Sequence, residues 1–338
     1  MSANIAVRIA YGYTANSSND PFNQRAEEVL AGFLDALTPG KWAVDVLPFL
    51  RYIPAWFPFA GFQRRVAYLK NLVTMHEKEP FELVLKQMAE GTAKESFTSK
   101  LLQPEVEDNI DDETKEHVKQ LSGNLYGAGT DTTFSGIQSF FLAMALYPEV
   151  QAKAQAEIAA YIGQKSDTAG ETMLLPVDKS NLPYTSALVK EVLRWHPVLN
   201  LINHRSSHFD DCNVASNGKI YRIPARSNVF VNFWKILHDP NVYPEPENFV
   251  PERYLVKDPS PDPENYVFGF GRRSCPGIHV AQQSMWIAIR LAYRLTLGHR
   301  SPTILRSNTL ANFTITKSKD AKGRLIVPKE EYVNGFVR

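Results

Sequence analysis

A mainly α-helical fold with a minor β-sheet is the architecture this sequence predicts, on three observations. Apolar residues recur every three or four positions along most of the chain, strand-like runs are confined to residues 198–232 and short segments near the end, and no internal repeat or low-complexity tract interrupts the pattern. The 338 residues suit one large domain or two modest ones, and with 44% hydrophobic residues they can bury a sizeable core. Lys plus Arg (37) and Asp plus Glu (36) nearly cancel, so no global field favours nucleic acid or an acidic substrate. Two cysteines, Cys212 and Cys275, cannot build a disulfide framework, which fits a reducing compartment. No apolar run approaches the roughly 20 residues of a membrane-spanning helix, and the first residues do not read as a signal peptide.

The chain opens in a short apolar helical run over residues 2–12. Asp20 followed by Pro21 reads as an N-cap and first helical residue, and Phe22, Ala26, Val29, Leu30, Phe33, Leu34 and Leu37 keep helical spacing until Thr38, Pro39 and Gly40 stop them. From Val46 to Phe59 the chain is aromatic, and Pro48, Pro54 and Pro58 exclude a regular helix, so this is a loop with an apolar surface. It is either packed on the core or, with Arg64 and Arg65 following, dips into a membrane interface, where aromatic and basic residues are favoured together. A helical pattern over Val66, Leu69, Leu72 and Val73 is broken or kinked at Pro80 and resumes with Phe81, Val84, Leu85 and Met88.

The acidic residues Glu105, Glu107, Asp108, Asp111, Asp112 and Glu113 suit the start of a long helix that continues to Tyr147. Pro148 opens the next helix and Gly163 closes it; Asn181 and Pro183 start another that ends at Pro197. Residues 219–224 and 228–232 read as strands separated by a turn, and Pro-rich, turn-like chain follows to Phe268. A helix from Pro276 to about Leu297 and short strands at 313–316 and 324–327 close the chain.

Three stretches carry chemistry. In Phe268-Gly269-Phe270-Gly271-Arg272-Arg273-Ser274-Cys275-Pro276-Gly277 the cysteine falls where a Gly-rich loop gives way to a helix. A helix start beside two arginines favours thiolate over thiol, and a thiolate is both nucleophile and metal ligand. The plainer reading is a half-buried cysteine, but Phe, Gly, Arg, Cys and Gly at fixed offsets restrict the choice far more than a lone cysteine does. In Gly127-Ala128-Gly129-Thr130-Asp131-Thr132-Thr133 glycines and threonines weaken the middle of the long helix. This is either a break or kink, or a small-residue patch that admits a large flat group, with a Thr hydroxyl beside a carboxylate as a proton route. Glu191 and Arg194, three apart, would ordinarily be a surface pair, but Tyr184, Leu188, Glu191 and Trp195 follow one stripe. Glu191 therefore lies on an apolar face, where a charge needs a partner.

Phe268, Gly271, Arg273, Cys275 and Gly277 together resemble the haem-binding loop of the cytochromes P450, whose cysteine is the axial ligand of haem iron. The other stretches extend the resemblance in the right order. Residues 127–133 are similar to the family's oxygen-binding segment, which implies Ala128 against the cofactor and Asp131 and Thr132 as the acid and alcohol that deliver protons to iron-bound dioxygen. Lys190 to Pro197 resembles the family's Glu-x-x-Arg, and Pro251 to Tyr254 the segment donating a second arginine, so Glu191, Arg194 and Arg253 would form a buried structural network. Arg273 matches a frequent propionate-binding position. His204 falls where the family often places another such donor, with Arg205 as its alternative.

The resemblance implies the C-terminal two thirds of the cytochrome P450 fold, as a single haem-thiolate monooxygenase domain over residues 1–338. The type is fungal and microsomal, similar to the O-methylsterigmatocystin oxidoreductase-like group. The family's N-terminal anchor, early sheet, first helices and Trp-x-x-x-Arg helix find no match, and the end at residues 332–338 falls within the closing hairpin, so the chain reads as truncated. The implied cofactor is haem b (iron protoporphyrin IX). NADPH enters only indirectly, through a flavoprotein reductase, since no nucleotide-binding Gly-rich turn is visible. The implied reaction places one atom of O2 in a C–H or C=C bond while the other leaves as water, with Cys275 thiolate favouring O–O cleavage. Val198, Leu199, Leu201, Ile202 and the 127–132 face would border a lipophilic small molecule. No nucleic acid is implied. A full-length relative would sit on the cytoplasmic face of the endoplasmic reticulum membrane, with residues 46–65 as a surface contact, whereas this chain shows no anchor. Two alternatives stand: a truncated, catalytically incompetent fragment with weak or no haem binding, and a reductase-independent thiolate-haem peroxygenase or isomerase, against which the Asp131 and Thr132 pair argues.

Overall fold

The structure, a computed structural model, describes residues 2–15, 20–38, 40–57, 60–103, 110–165, 176–205, 211–214, 218–294, 315–318 and 324–328. Several expectations lie outside them: Phe59, Glu105, Glu107, Asp108, the helix end at Leu297, residues 313–314 and the C-terminal residues 332–338.

The described chain is mainly helical: α1 (Ser2–Tyr11), α2 (Pro21–Leu37), α3 (Ala43–Val46), α4 (Gly61–Ala89), α5 (Phe97–Leu101), α6 (Asp112–Leu146), α7 (Pro148–Lys165), α8 (Pro183–Trp195), α9 (Phe233–Leu237), α10 (Glu264–Val267) and α11 (Ile278–Arg294). Its spine is α6, about 50 Å long at 1.5 Å per residue. The helix begins where the side chain of Asp111 accepts the Thr114 N–H at 2.7 Å. Asp20 caps α2 in the same way through the Phe22 N–H at 3.0 Å, with Pro21 in the first turn.

Two apolar clusters form along α6. Around its first half, Val118 and Tyr126 join Ala6, Val7, Ala10 and Tyr11 of α1 and Phe81 and Val84 of α4. Around its second half, Phe140 and Met144 join Leu188, Val192 and Trp195 of α8 and Met285 and Trp286 of α11. Burial in the interior is the main driving force for such an assembly.

Three local expectations need correction. Of the two readings at Pro80, a break or a kink, the break does not form: α4 runs from Gly61 to Ala89, because Pro80 and Phe81 are buried and packing on both sides of the missing N–H holds the helix together. Helix α7 passes Gly163 and ends at Lys165, a glycine inside a helix costing only about 1 kcal/mol. The strands β1 (Leu201–Arg205), β2 (Asp211–Val214), β3 (Ile220–Ile223) and β4 (Asn228–Asn232) pair as nested antiparallel ribbons, β1 with β4 and β2 with β3. The expected strands over 219–224 and 228–232 form as β3 and β4, and Arg226, left-handed at φ 60°, turns the chain between them. Residues 315–318 and 324–328 are not strands; a single bridge at Leu325 stands there, and the Ile326 N–H donates to the Ser318 carbonyl at 2.7 Å.

The aromatic stretch after α2 folds as α3 and a 3-10 turn over Pro48–Tyr52. It does not pack on the core: Val46, Leu47, Phe49, Tyr52, Trp56 and Phe57 are all exposed, Trp56 by 79%. Arg51 lies 4.6 Å from the Tyr52 ring. No described helix is long and apolar enough to cross a membrane.

Candidate active site

The Cys275 loop joins α10 to α11. Gly269 and Gly271 take φ of 78° and 57°, a region that only glycine enters without strain. The Gly269 N–H closes α10 on the Tyr266 carbonyl at 2.8 Å, and the Cys275 N–H closes the loop on the Phe268 carbonyl at 2.7 Å. Phe268 is half-buried against the α6–α8–α11 cluster and anchors the loop, whereas Phe270, Arg272, Arg273 and Cys275 are exposed. Gly277 lies beside the sulfur: a Cβ there would sit 3.7 Å from Cys275 Sγ. Cys275 is thus a free, exposed thiol just before the N-terminus of α11.

Helix α6 continues unbroken through residues 127–133. The hydroxyls of Thr130 and Thr132 donate back to the carbonyls of Tyr126 and Ala128, at 2.8 and 2.7 Å, so they compete locally with the backbone ladder without ending it. The small residues do not form one open patch. A Cβ on Gly127 would meet the His76 ring at 3.5 Å and one on Gly129 would meet Ala6 at 3.2 Å, so these two glycines serve the packing of α4 and α1. Ala128 is exposed, Thr132 half-buried and Asp131 buried. Thr132 lies one turn from Ala128 on the same helix side, whereas the adjacent Asp131 turns into the interior.

The next position in that series, Gly136, is where α11 crosses α6. A Cβ on Gly136 would stand 3.2 Å from the Met285 sulfur. From this crossing, Ala128 lies about 12 Å back along α6 and Ile278 about 10 Å back along α11, at 1.5 Å per residue. Helix α11, which follows Cys275, therefore packs on α6 at Gly136, about two turns beyond Ala128.

Behind the loop lies a buried charge network. Glu191 receives Arg194 through Nε and Nη2, both at 2.9 Å, Arg253 Nε at 3.2 Å and the Val250 N–H at 2.9 Å. The remaining guanidinium donors reach the carbonyls of Leu237 (3.1 Å) and Asn248 (3.1 Å) from Arg194, and Pro244 (2.8 Å) from Arg253. Such saturation is the condition under which buried charge is tolerated. Burial of α8 from Ala187 to Trp195 is nearly all round, wider than the single stripe expected. Beyond Trp195, His196 packs on the Trp195 ring at 4.1 Å, and Trp234 stacks on His238 at 3.7 Å. Burial, then the charges of His238 and Arg194, hold His196 down to about 3.

His204 lies in β1 opposite Val229, half-buried, and its Nε2 is enclosed without a hydrogen-bond partner. The side chain of Arg205 is outside the described residues. Val198, Leu199, Leu201 and Ile202 are half-buried at and before the start of β1. The crossing at Gly136, the Trp234 and His238 stack and the carbonyls around Arg194 had no sequence signal strong enough to find them, except that Gly136 continues the four-residue series from Ala128.

The Cytochrome P450 family model matches residues 1–294. Among curated relatives, cytochrome P450 monooxygenase claT of Ampulloclitocybe clavipes is 36% identical over 100% of this chain and 62% of its own length. Cytochrome P450 monooxygenase 208 of Postia placenta is 37% identical over 98% of this chain and 59% of its own length. Cytochrome P450 monooxygenase COX2 of Coprinopsis cinerea is 37% identical over 97% and 58%. The chain thus spans about three fifths of the length of the curated relatives it matches. A mainly helical fold, an exposed thiol on a Gly-rich loop before α11, and a family match over residues 1–294 lead to one assignment: the chain belongs to the cytochrome P450 family.

Proposed function

We propose that residues 1–338 form one haem-thiolate domain of a monooxygenase that transfers one atom of O2 to a lipophilic small molecule, with electrons from NADPH delivered by a flavoprotein reductase. The observation that supports this reading is the crossing of α6 by α11, the helix that follows Cys275, at Gly136 and Met285, about two turns beyond Ala128. The residues present fit haem b. Cys275, a free and exposed thiol, would hold the iron of such a group. The exposed guanidinium of Arg273 and the unpartnered Nε2 of His204 suit anionic propionates.

Haem, when bound, supplies the redox centre at which dioxygen is reduced and cleaved. Cys275 would supply the sulfur that holds the group, and Gly271 and Gly277 leave its surroundings open. Ala128 offers a flat methyl surface. Thr132 Oγ1, tethered to the Ala128 carbonyl, and the carboxyl of Asp131 hold and pass protons on that side. Glu191, Arg194 and Arg253 keep the segments behind the loop in place. Val198, Leu199, Leu201 and Ile202 would border an apolar substrate, in keeping with their half-burial.

The exposed aromatic stretch, with Arg51, Arg64 and Arg65 beside it, is the surface we assign to contact with the endoplasmic reticulum membrane. The deciding experiment is a spectrum of the reduced protein under carbon monoxide. A thiolate-type Soret band that disappears in Cys275→Ala supports the reading; its absence from the unmutated chain favours a fragment that does not bind haem. Full turnover with peroxide and no reductase would favour a peroxygenase instead.

A further inference from the structure

Two closures hold the Cys275 loop. The inner one is the backbone bond from Cys275 N–H to the Phe268 carbonyl at 2.7 Å. The outer one is made by side chains further out on the flanking helices: Gln282 Nε2 of α11 donates to Glu264 Oε2 of α10 at 2.6 Å. Glu264 stands four residues before Phe268, and Gln282 seven residues after Cys275.

The outer closure is anchored to the charge network. Asp262 accepts the Glu264 N–H on Oδ1 at 3.0 Å and pairs through Oδ2 with Lys190 Nζ at 2.6 Å. Lys190 adjoins Glu191 on α8. A continuous polar chain thus runs from α8 through α10 to α11. The arrangement has a local cost. Glu264 is half-buried, burial foremost pushes its carboxyl up against the attraction of Lys179 and Lys190, and its Oε1 is enclosed without a partner. The loop itself needs outside support, because two glycines at positive φ leave its backbone compliant.

We propose that Gln282 and Glu264 are positioning residues, whose hydrogen bond latches α10 to α11 and so fixes how Cys275 presents its sulfur to haem iron. This rests on the haem reading above. Neither side chain touches the sulfur; both act through the loop.

The test uses Gln282→Leu and Glu264→Gln. In the haem-loaded chain, the fraction of the reduced carbon monoxide complex that keeps thiolate ligation is followed against pH. Gln282→Leu is expected to move the change to the thiol-ligated form upward by about one pH unit, while Glu264→Gln, which still accepts from Gln282, stays near the unmutated profile. A haem-independent arm alkylates Cys275 with iodoacetamide in the haem-free chain carrying Cys212→Ser. There Gln282→Leu is expected to react about threefold faster or more. If Gln282→Leu does not fold, the comparison passes to Gln282→Asn, whose amide stops one methylene short. Unchanged alkylation overturns the latch, as does an unchanged pH profile in haem-loaded protein. Absence of a thiolate spectrum in the unmutated chain, with faster alkylation in the variant, overturns the haem reading and leaves the latch on the cysteine standing.

Discussion

Arg194 holds Glu191 in a two-pronged grip, each carboxylate oxygen 2.9 Å from a guanidinium nitrogen and neither side chain exposed to solvent. Removing one member leaves an uncompensated charge in a place water does not reach. Glu191→Ala is expected to cost about 3–5 kcal/mol in urea unfolding. Arg194→Lys keeps the charge, loses the fork and should cost a substantial part of that. A change under about 1 kcal/mol for Glu191→Ala would mean that the carbonyls of Leu237, Pro244 and Asn248 satisfy both arginines unaided.

Cys275→Ala separates chemistry from stability. The thiol is exposed and makes no side-chain bond that the fold depends on, so unfolding free energy should stay within about 0.5 kcal/mol. The thiolate-type carbon monoxide band should vanish. Retention of that band would assign the iron ligand elsewhere.

Thr132→Ala removes the hydroxyl tethered to the Ala128 carbonyl but leaves the loop untouched. Haem loading and the carbon monoxide band should be unchanged. Product formed per NADPH consumed should fall on the order of 10²-fold, the scale of a lost proton-transfer group. Unaltered coupling would take Thr132 out of the proton route.

His196 gives the fold an acid limit. Its folded value is about 3 against an ordinary 6.5, so it stays neutral over a range in which the unfolded chain takes up a proton. The stability it contributes is complete above pH 6.5 and is lost as pH falls from there toward 3, by up to about 1.4 kcal/mol per unit. His238, also held down by burial and then Arg194, adds a slope of the same sign. Unfolding free energies across this window should show the decline, and His196→Phe, which keeps a ring against Trp195, should flatten it. An equal slope in that variant would assign the acid limit to other groups.

Trp56→Ala and Phe49→Ala test the exposed aromatic stretch. Each should weaken binding to vesicles that contain anionic lipid by roughly tenfold, as expected for loss of a large apolar contact. Binding unchanged by both substitutions would leave the patch without a membrane role.

What could be read before the fold was known is what is local. Asp20 with Pro21, Asp111, and the Cys275 loop declare themselves within ten residues, because capping and tight turns are set by neighbours in the chain. Glu191 could be marked as needing a partner, but Val250 and Arg253 lie 59 and 62 residues away and no periodicity points to them. Pro80 misled because a propensity argument counts the lost hydrogen bond and cannot weigh the packing on either side. Gly127 and Gly129 misled differently. Their small size is real, but only the positions of α4 and α1 decide that His76 and Ala6 use it. Strand pairing left no mark in the sequence for the same reason, since β1 meets β4 across an intervening ribbon.

The notch at Gly136 acts as a spacer dial between two halves of the protein. One added methyl there would meet the Met285 sulfur at 3.2 Å and push α11 or the methionine aside by a few tenths of an ångström. The separation of α11 from α6 is therefore tunable from a residue that carries no polar group. Divergence among chains of this fold has a route through packing that leaves every chemical group in place.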